Sequence, residues 1–334
     1  MKLSRKEFLK TAASAAVIAA IPSSALITAS CTETASANKA MRPLIPKAQF
    51  NGKPKRGVSL YSYTGVYGVT MTMEDCFIDM NDMEAEGIEI LGSGHIPNYP
   101  NPSEEWVDWW FSMMNKYNIV PGEYGHWVDS RRQAGRTLTS KESFDIIVRD
   151  IKLAHRLGFK VGRTKLGVID DTLTPVENWK EFIKMALPVA EENDYVMCPE
   201  IHMPTVLKSK MVDDYVDFIV KTGTKNFGLN IDFGVFNTEA PNFPGLDQFK
   251  ASKPEEIIPL LPYVHACHAK FGNMSDDLLE TTHPYPEIIK ILVDHKWEGY
   301  LLSEYEGPKM NEPDYASDQV RRQHVMMKRL LGEA

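Results

Sequence analysis

The sequence predicts a closed (β/α)8 barrel forming one domain over residues 56–334, and three observations lead there. Short apolar runs alternate with longer amphipathic ones eight times, the pattern of parallel strands joined by helices. The first run is followed by Tyr61-Ser62-Tyr63-Thr64-Gly65-Val66-Tyr67-Gly68, which lacks the glycine spacing of a dinucleotide-binding turn and so argues against an open doubly wound sheet. Acids and histidines recur at the ends of the last four runs, where barrels of this kind carry their functional groups.

In chain order the strands are expected at 57–63, 87–91, 119–124, 160–166, 195–201, 227–233, 264–270 and 300–305. Thr72-x-x-Asp75 reads as a capping-box helix start. Thr174-Pro175-Val176-Glu177 reads as a Thr cap with Pro at the first helical position. Ile146, Ile147, Ile151 and Leu153 give an apolar face that stops at Gly158, and 317–331 is the closing helix. Trp106, Trp109 and Trp110 fall at helical spacing and read as packing against the barrel rather than as a binding platform.

The first thirty residues stand apart. Lys2, Arg5, Lys6 and Lys10 precede an apolar run from Thr11 to Ile21, and small residues follow, which is the layout of an export signal. Ser4-Arg5-Lys6-Glu7-Phe8-Leu9-Lys10 is twin-arginine-like, with Lys in the second arginine's place. Cys31, after Thr28-Ala29-Ser30, stands where a lipoprotein signal would be cut and the cysteine acylated. The expected location is therefore periplasmic, as a soluble protein or a membrane-anchored lipoprotein. Residues 31–55, rich in Ser, Thr, Ala, Asn, Lys and Pro, read as a linker.

Of the 334 residues 43% are hydrophobic and 25% charged, with a formal charge of −8, so the chain lacks the basic footprint that nucleic acid binding requires. Cys76, Cys198 and Cys267 have no CxxC partner, which points away from a zinc cluster.

Four strand ends carry the chemistry. They read Pro199-Glu200-Ile201-His202, Ile231-Asp232-Phe233-Gly234, Cys267-His268-Ala269-Lys270 and Ser303-Glu304-Tyr305-Glu306. Glu200, Asp232, His268 and Glu304 are 32, 36 and 36 residues apart, one strand–helix unit per step, so they are expected at equivalent heights. Each alone reads as a cap or an ion-pair residue. Together they would repel one another, and a divalent cation resolves this, Mn2+ first, with Zn2+, Co2+ or Mg2+ as alternatives. His95, His126 and His202 follow strands two, three and five. His126 and His202 are the preferred proton carriers, with a structural or substrate-binding role as the other reading. His155, His295 and His324 fall on helices and read as surface residues. Tyr61, Tyr63, Lys165, Lys270 and Glu306 are candidate substrate-lining residues, each equally readable as a packing or ion-pair residue, and His95 is a further candidate for substrate binding.

From about Arg56 onward the chain resembles the xylose isomerase-like TIM barrels, a group that includes sugar phosphate isomerases/epimerases, ketose 3-epimerases and the endonuclease IV group. The family's Glu, Asp, His and Glu ligands match Glu200, Asp232, His268 and Glu304. His268-Ala269-Lys270 resembles its seventh-strand motif, and Tyr300-Leu301-Leu302-Ser303-Glu304-Tyr305-Glu306-Gly307 its eighth. Ala266 stands where the family usually has His, and Phe271 where Asp often follows the lysine. The acidic charge and a single four-ligand set set the endonuclease branch aside.

The resemblance implies proton abstraction beside a cation-polarised sugar carbonyl, with Glu200 and Glu304 as ligands and acid/base groups together. It thus implies a sugar isomerase or epimerase. A second reading is a lyase acting on 3-keto-glycosides or C-glycosides by β-elimination, suggested by Glu304-Tyr305-Glu306-Gly307 and Gln319-Val320-Arg321-Arg322-Gln323-His324. A reading of another class is a non-catalytic carbohydrate-binding barrel using Trp127 and Tyr124. The complete ligand set favours an enzyme. A carbohydrate is the expected small-molecule partner, free or oxidised rather than phosphorylated, since no phosphate-binding Gly-rich loop is present. A homo-oligomer or a partner subunit would be compatible.

Overall fold

Residues 49–239 and 250–333 are described by the computed structural model. The export-signal and lipidation readings of residues 1–30 and Cys31, and most of the 31–55 linker, lie outside the described residues.

Nine parallel strands form the barrel wall: β1 Lys55–Ser59, β2 Gly87–Leu91, β3 Val120–His126, β4 Val161–Thr164, β5 Val196–Cys198, β6 Glu200–Ile201, β7 Leu229–Asp232, β8 Val264–Phe271 and β9 Tyr300–Tyr305. Their order is β5-β4-β3-β2-β1-β9-β8-β7-β6. The two ends of that list are one strand of the expected eight, split at Pro199, which has no N–H to give to a ladder. Asn230 N donates to the Pro199 carbonyl at 3.1 Å and Gly228 N to that of Met197 at 2.9 Å, which closes the ring across the split. The barrel is therefore an eight-position (β/α)8 wall, as expected.

The outer layer follows from local signals. Helix α1 (Met73–Asp82) carries the expected Thr72/Asp75 capping box. Ser103 caps α2 (Glu104–Tyr117), whose Trp110 is fully buried while Trp106 and Trp109 pack at the margin of the core, as their spacing predicts. Helix α3 (Ser140–Arg156) begins earlier than its apolar face suggested, because Thr139 and Glu142 form a second capping box. Helix α4 (Trp179–Glu192) begins later than Thr174-Pro175 suggested. Thr174 N instead donates to Asp170 Oδ1 at 3.0 Å and shapes the loop. Ser209 caps α5 (Lys210–Thr222). The next position is a 3-10 helix, Pro254–Tyr263, where Pro259 and Pro262 remove the amides an α-helix would need. Helices α6 (Tyr285–Asp294) and α7 (Tyr315–Leu331) complete the layer.

Two apolar clusters result. The larger fills the space between wall and helices, and a small one sits inside the barrel. There Ala266, Tyr300 and Leu302 pack with Phe50, Val120 and Val161. Gly87 leaves room for this plug, since a Cβ on it would lie 2.3 Å from the Tyr300 ring. With that end filled by apolar side chains, the polar residues of the interior lie toward the opposite, C-terminal mouth.

Strand register refines the expectation of equal heights. Glu200 pairs with Asn230, Asp232 with His268, and His268 with Leu302, while Glu304 pairs with Lys270. Two of the three steps therefore climb by two residues, the stagger a closed barrel imposes. Because each climb is an even number, all four side chains stay on the inner face.

Candidate functional site

Glu200, Asp232, His268 and Glu304 each offer one ligand atom, and these atoms lie within 4.8 Å of one another. All four residues are buried. His268 Nδ1 faces Glu304 Oε2 at 2.6 Å, Glu200 Oε1 at 3.0 Å and Asp232 Oδ2 at 3.9 Å. Asp232 starts the 3-10 turn Phe233–Phe236 and accepts from Gly234 N through Oδ1 at 2.7 Å, which leaves Oδ2 turned inward. Gly234 is required there, since a Cβ would lie 2.6 Å from that same Oδ1.

A second polar layer, which the sequence reading missed, lies directly against the first. Glu89 (β2), Glu123 (β3), Arg163 (β4) and Asn230 (β7) all point into the barrel and are buried. Arg163 Nη1 donates to Glu200 Oε2 at 3.0 Å, and its Nε lies 3.1 Å from Glu89 Oε1. The sequence signal was present but faint: charged residues in the middle of apolar strands, at Glu89 and Glu123, are costly unless partnered inside the barrel.

Charge dominates the electrostatics. Burial would raise the Glu200 carboxyl, but Arg163 and then His268 outweigh it and hold it well below the usual range. Burial likewise opposes Glu304, yet Lys270 and His268 bring it to about 2. Asp232 goes the other way, raised by burial beyond what Lys270 offsets. Burial would lower His268, but Glu89 and Glu304 together with hydrogen bonds to Glu123 and Glu200 hold it well above the ordinary histidine value.

Lys270 bridges the cluster to the pocket. Its Nζ lies 3.3 Å from Asp232 Oδ2, 3.6 Å from Glu304 Oε1, 2.8 Å from Glu306 Oε2 and 3.0 Å from His202 Nε2. The pocket above has a volume of about 270 Å³, with Glu200, Glu304, Glu306, His202 and Lys270 on one side. Tyr61, Trp127, Arg131 and Lys165 also line it. Tyr61 donates to Glu306 Oε1 at 3.4 Å. Lys165 Nζ sits 3.6 Å from the Trp127 ring centre, and burial, aided by Arg163, lowers its pKa to about 7. A larger groove of about 860 Å³ lies on the outside of the barrel between α5 and the 3-10 helix and holds no comparable cluster.

Other sequence candidates fall elsewhere. His126 is buried outside the pocket lining, with Nε2 at 2.7 Å from Thr164 Oγ1, and burial lowers its pKa to about 4. His95 accepts from Leu91 N at 2.9 Å and is likewise lowered to about 4 by burial. Tyr63 is buried against Asp79, to which its hydroxyl donates at 2.6 Å. Tyr124 is fully buried and donates to Asp150 at 2.9 Å, so it offers no surface for sugar stacking. His324 corrects the surface reading: it is buried on α7 between Arg56 (3.0 Å) and Ser303 (2.9 Å), whereas His155 and His295 are exposed. Its apolar-facing side of α7 meets the polar start of β1, a contact that helical position alone does not disclose. Cys76, Cys198 and Cys267 are buried free thiols.

The residues present fit a divalent cation. Asp232 Oδ2 and Glu304 Oε2 are buried and turned toward His268 Nδ1 and Lys270 Nζ, and both residues belong to the four-residue cluster. The donor set, three carboxylates and one imidazole, suits Mn2+ and its neighbours.

Comparisons with known proteins agree with this architecture. The xylose isomerase-like TIM barrel family model matches residues 79–329. A C-glycoside deglycosidase alpha subunit from Arthrobacter globiformis is 23% identical over 338 residues, covering 83% of this chain and 92% of that one. A 3'-dehydrocarminate deglycosidase alpha subunit from Microbacterium sp. is 23% identical over 347 residues, covering 84% and 96%. Among solved structures, a D-psicose 3-epimerase with D-tagatose from Clostridium cellulolyticum H10 superposes with a TM-score of 0.59 at 16% identity, covering 83% of this chain and 99% of that one. A D-allulose 3-epimerase from Methylomonas sp. gives 0.60 at 11%, covering 85% and 100%. At such identities these structures speak to the fold alone.

Proposed function

This chain belongs to the xylose isomerase-like TIM barrel family, and on that premise we propose that it is a divalent-metal-dependent lyase that cleaves 3-keto-glycosides, O-linked or C-linked, by β-elimination. The observation that carries the metal-dependent part is the convergence of Glu200, Asp232, His268 and Glu304, three buried acids around one imidazole. The curated relatives named as deglycosidase alpha subunits support elimination over epimerisation. The basic and apolar layout of residues 1–30 supports export, and with it an unphosphorylated substrate.

The chemistry that a cation supplies in such a donor set is polarisation of the sugar carbonyl, which acidifies the neighbouring C–H. The chain's own residues do the rest. Lys270 and Tyr61, with Glu306 between them, orient the sugar hydroxyls at the mouth. His202 stands beside Lys270 and takes the C2 proton. The C2–H electron pair forms the C1=C2 bond as the C1 substituent departs with its own bonding pair. Lys165, which has no carboxylate hydrogen-bonded to it among the described residues, delivers a proton to that leaving group from the Trp127 side. Glu200 is pinned by Arg163, which suits it to hold a cation rather than to swing as a base. His126, packed on Thr164 away from the lining, is assigned a structural role. The relatives' naming as alpha subunits supports a partner subunit for this chain as well, to be sought by co-purification.

The test is to incubate the metal-loaded protein with an aryl 3-keto-glucoside, an aryl C-glycoside already oxidised to the ketone at C3, and free ketoses. Aglycone release without epimer formation is expected, and Lys165→Met should lower the rate about 10²-fold or more while leaving metal content unchanged. Epimer formation without aglycone release would return the chain to the epimerases.

A further inference from the structure

We propose that Glu123 is a positioning residue: it accepts a hydrogen bond from the Nε2–H of His268 and so keeps the Nδ1 lone pair for a cation held among Glu200, Asp232 and Glu304. This rests on reading those four residues as the ligands of a divalent cation.

An imidazole binds a cation through a lone pair, and the neutral ring carries one proton, which must then sit on the other nitrogen. In this barrel the two nitrogens of His268 face two different carboxylate sets. Nδ1 faces the four-residue cluster. Nε2 faces Glu123 Oε2 at 3.1 Å and Glu89 Oε2 at 3.4 Å. With a cation taking up the Nδ1 lone pair, the one ring proton belongs on Nε2, where the oxygens of Glu123 and Glu89 attract it in a site shielded from water.

Asn230 Nδ2 lies 3.0 Å from Nε2 and donates to Glu123 at 3.0 and 3.2 Å, so with a proton on Nε2 the amide and the imidazole converge on one acceptor. Glu89 is ion-paired with Arg163, whose Nε lies 3.1 Å from its Oε1, and that guanidinium also ties Glu200. Glu123 has no such ion pair with Arg or Lys among the described residues; its hydrogen-bond partners there are Asn230 and His268. With Glu123, Asn230 and His268 all at 0% exposure, Glu123 cannot touch a sugar, so its effect passes through the ring.

The experiment measures binding of the metal alone by calorimetry, Zn2+ and Mn2+ in turn, to wild type and to Glu123→Gln, with a thermal melt to show that the variant folds. The melt should stay cooperative while affinity falls about 10- to 100-fold. In parallel, nitrogen-15 histidine spectra of Zn2+-loaded wild type should show His268 bound through Nδ1 with a proton on Nε2, the resonance assigned by its loss in His268→Gln. Affinity of the folded variant within about threefold of wild type overturns the proposal, as does ligation through Nε2. Should Glu123→Gln not fold, the wild-type spectrum decides alone. Wild type that binds neither metal overturns the ligand reading and this proposal together.

Discussion

Residue chemistry divides the histidines of this barrel into two kinds. His202 and His268 sit among carboxylates and Lys270, whereas His95, His126 and His324 are buried where burial lowers their pKa. For His126, the folded value of about 4 lies below the unfolded value of about 6.5. Between those values the unfolded chain binds more protons, so the stability from a neutral His126 is full above about pH 6.5 and drains as pH falls toward 4. Urea midpoints measured from pH 7 to 4.5 should therefore fall less steeply in His126→Gln than in wild type, and an unchanged slope would contradict the buried neutral assignment. The sequence located the four ligand candidates because their spacing follows the strand–helix repeat. It could not separate His126 from His202, because whether a residue past a strand end turns into the pocket or under a neighbouring helix is set by packing. Glu89, Glu123 and Arg163 escaped for a related reason: each lies within its strand, and only barrel closure brings Glu89 and Glu123 onto His268 and Arg163 onto Glu89.

At the scale of elements, the strand–turn joints decide the site. The β7 turn aims Asp232 by accepting Gly234 N on Oδ1 and leaving Oδ2 inward. Gly234→Ala places a Cβ 2.6 Å from Oδ1 and 3.3 Å from Lys270 Cδ, so the carboxylate must move. The expected outcome is metal affinity lowered roughly tenfold or more, with the melt little changed, checked by calorimetry beside a thermal scan. Element signals were unevenly legible in the sequence. The Thr72/Asp75 box marked its helix correctly. Thr174-Pro175 misled, because Asp170 captures the Thr174 amide and keeps that stretch a loop until Trp179. Pro199 divides a strand that reads as continuous, since apolar periodicity carries no record of which amides the ladder uses.

At the scale of the molecule, one end of the barrel interior is filled by Tyr300 and its apolar neighbours, and the other holds five carboxylates within reach of one imidazole. Arg163 and Lys270 offset part of that charge, and a divalent cation is the species that would complete it. The central claim is that the mouth of this barrel holds one such ion on Glu200, Asp232, His268 and Glu304. Its most direct test is a calorimetric titration of chelator-stripped protein with Mn2+, run on wild type and on Asp232→Asn and His268→Ala. One ion per chain is expected, with affinity lowered at least about tenfold in each variant. A wild type that takes up no Mn2+, Zn2+, Co2+ or Mg2+, or variants that bind as wild type does, would contradict it.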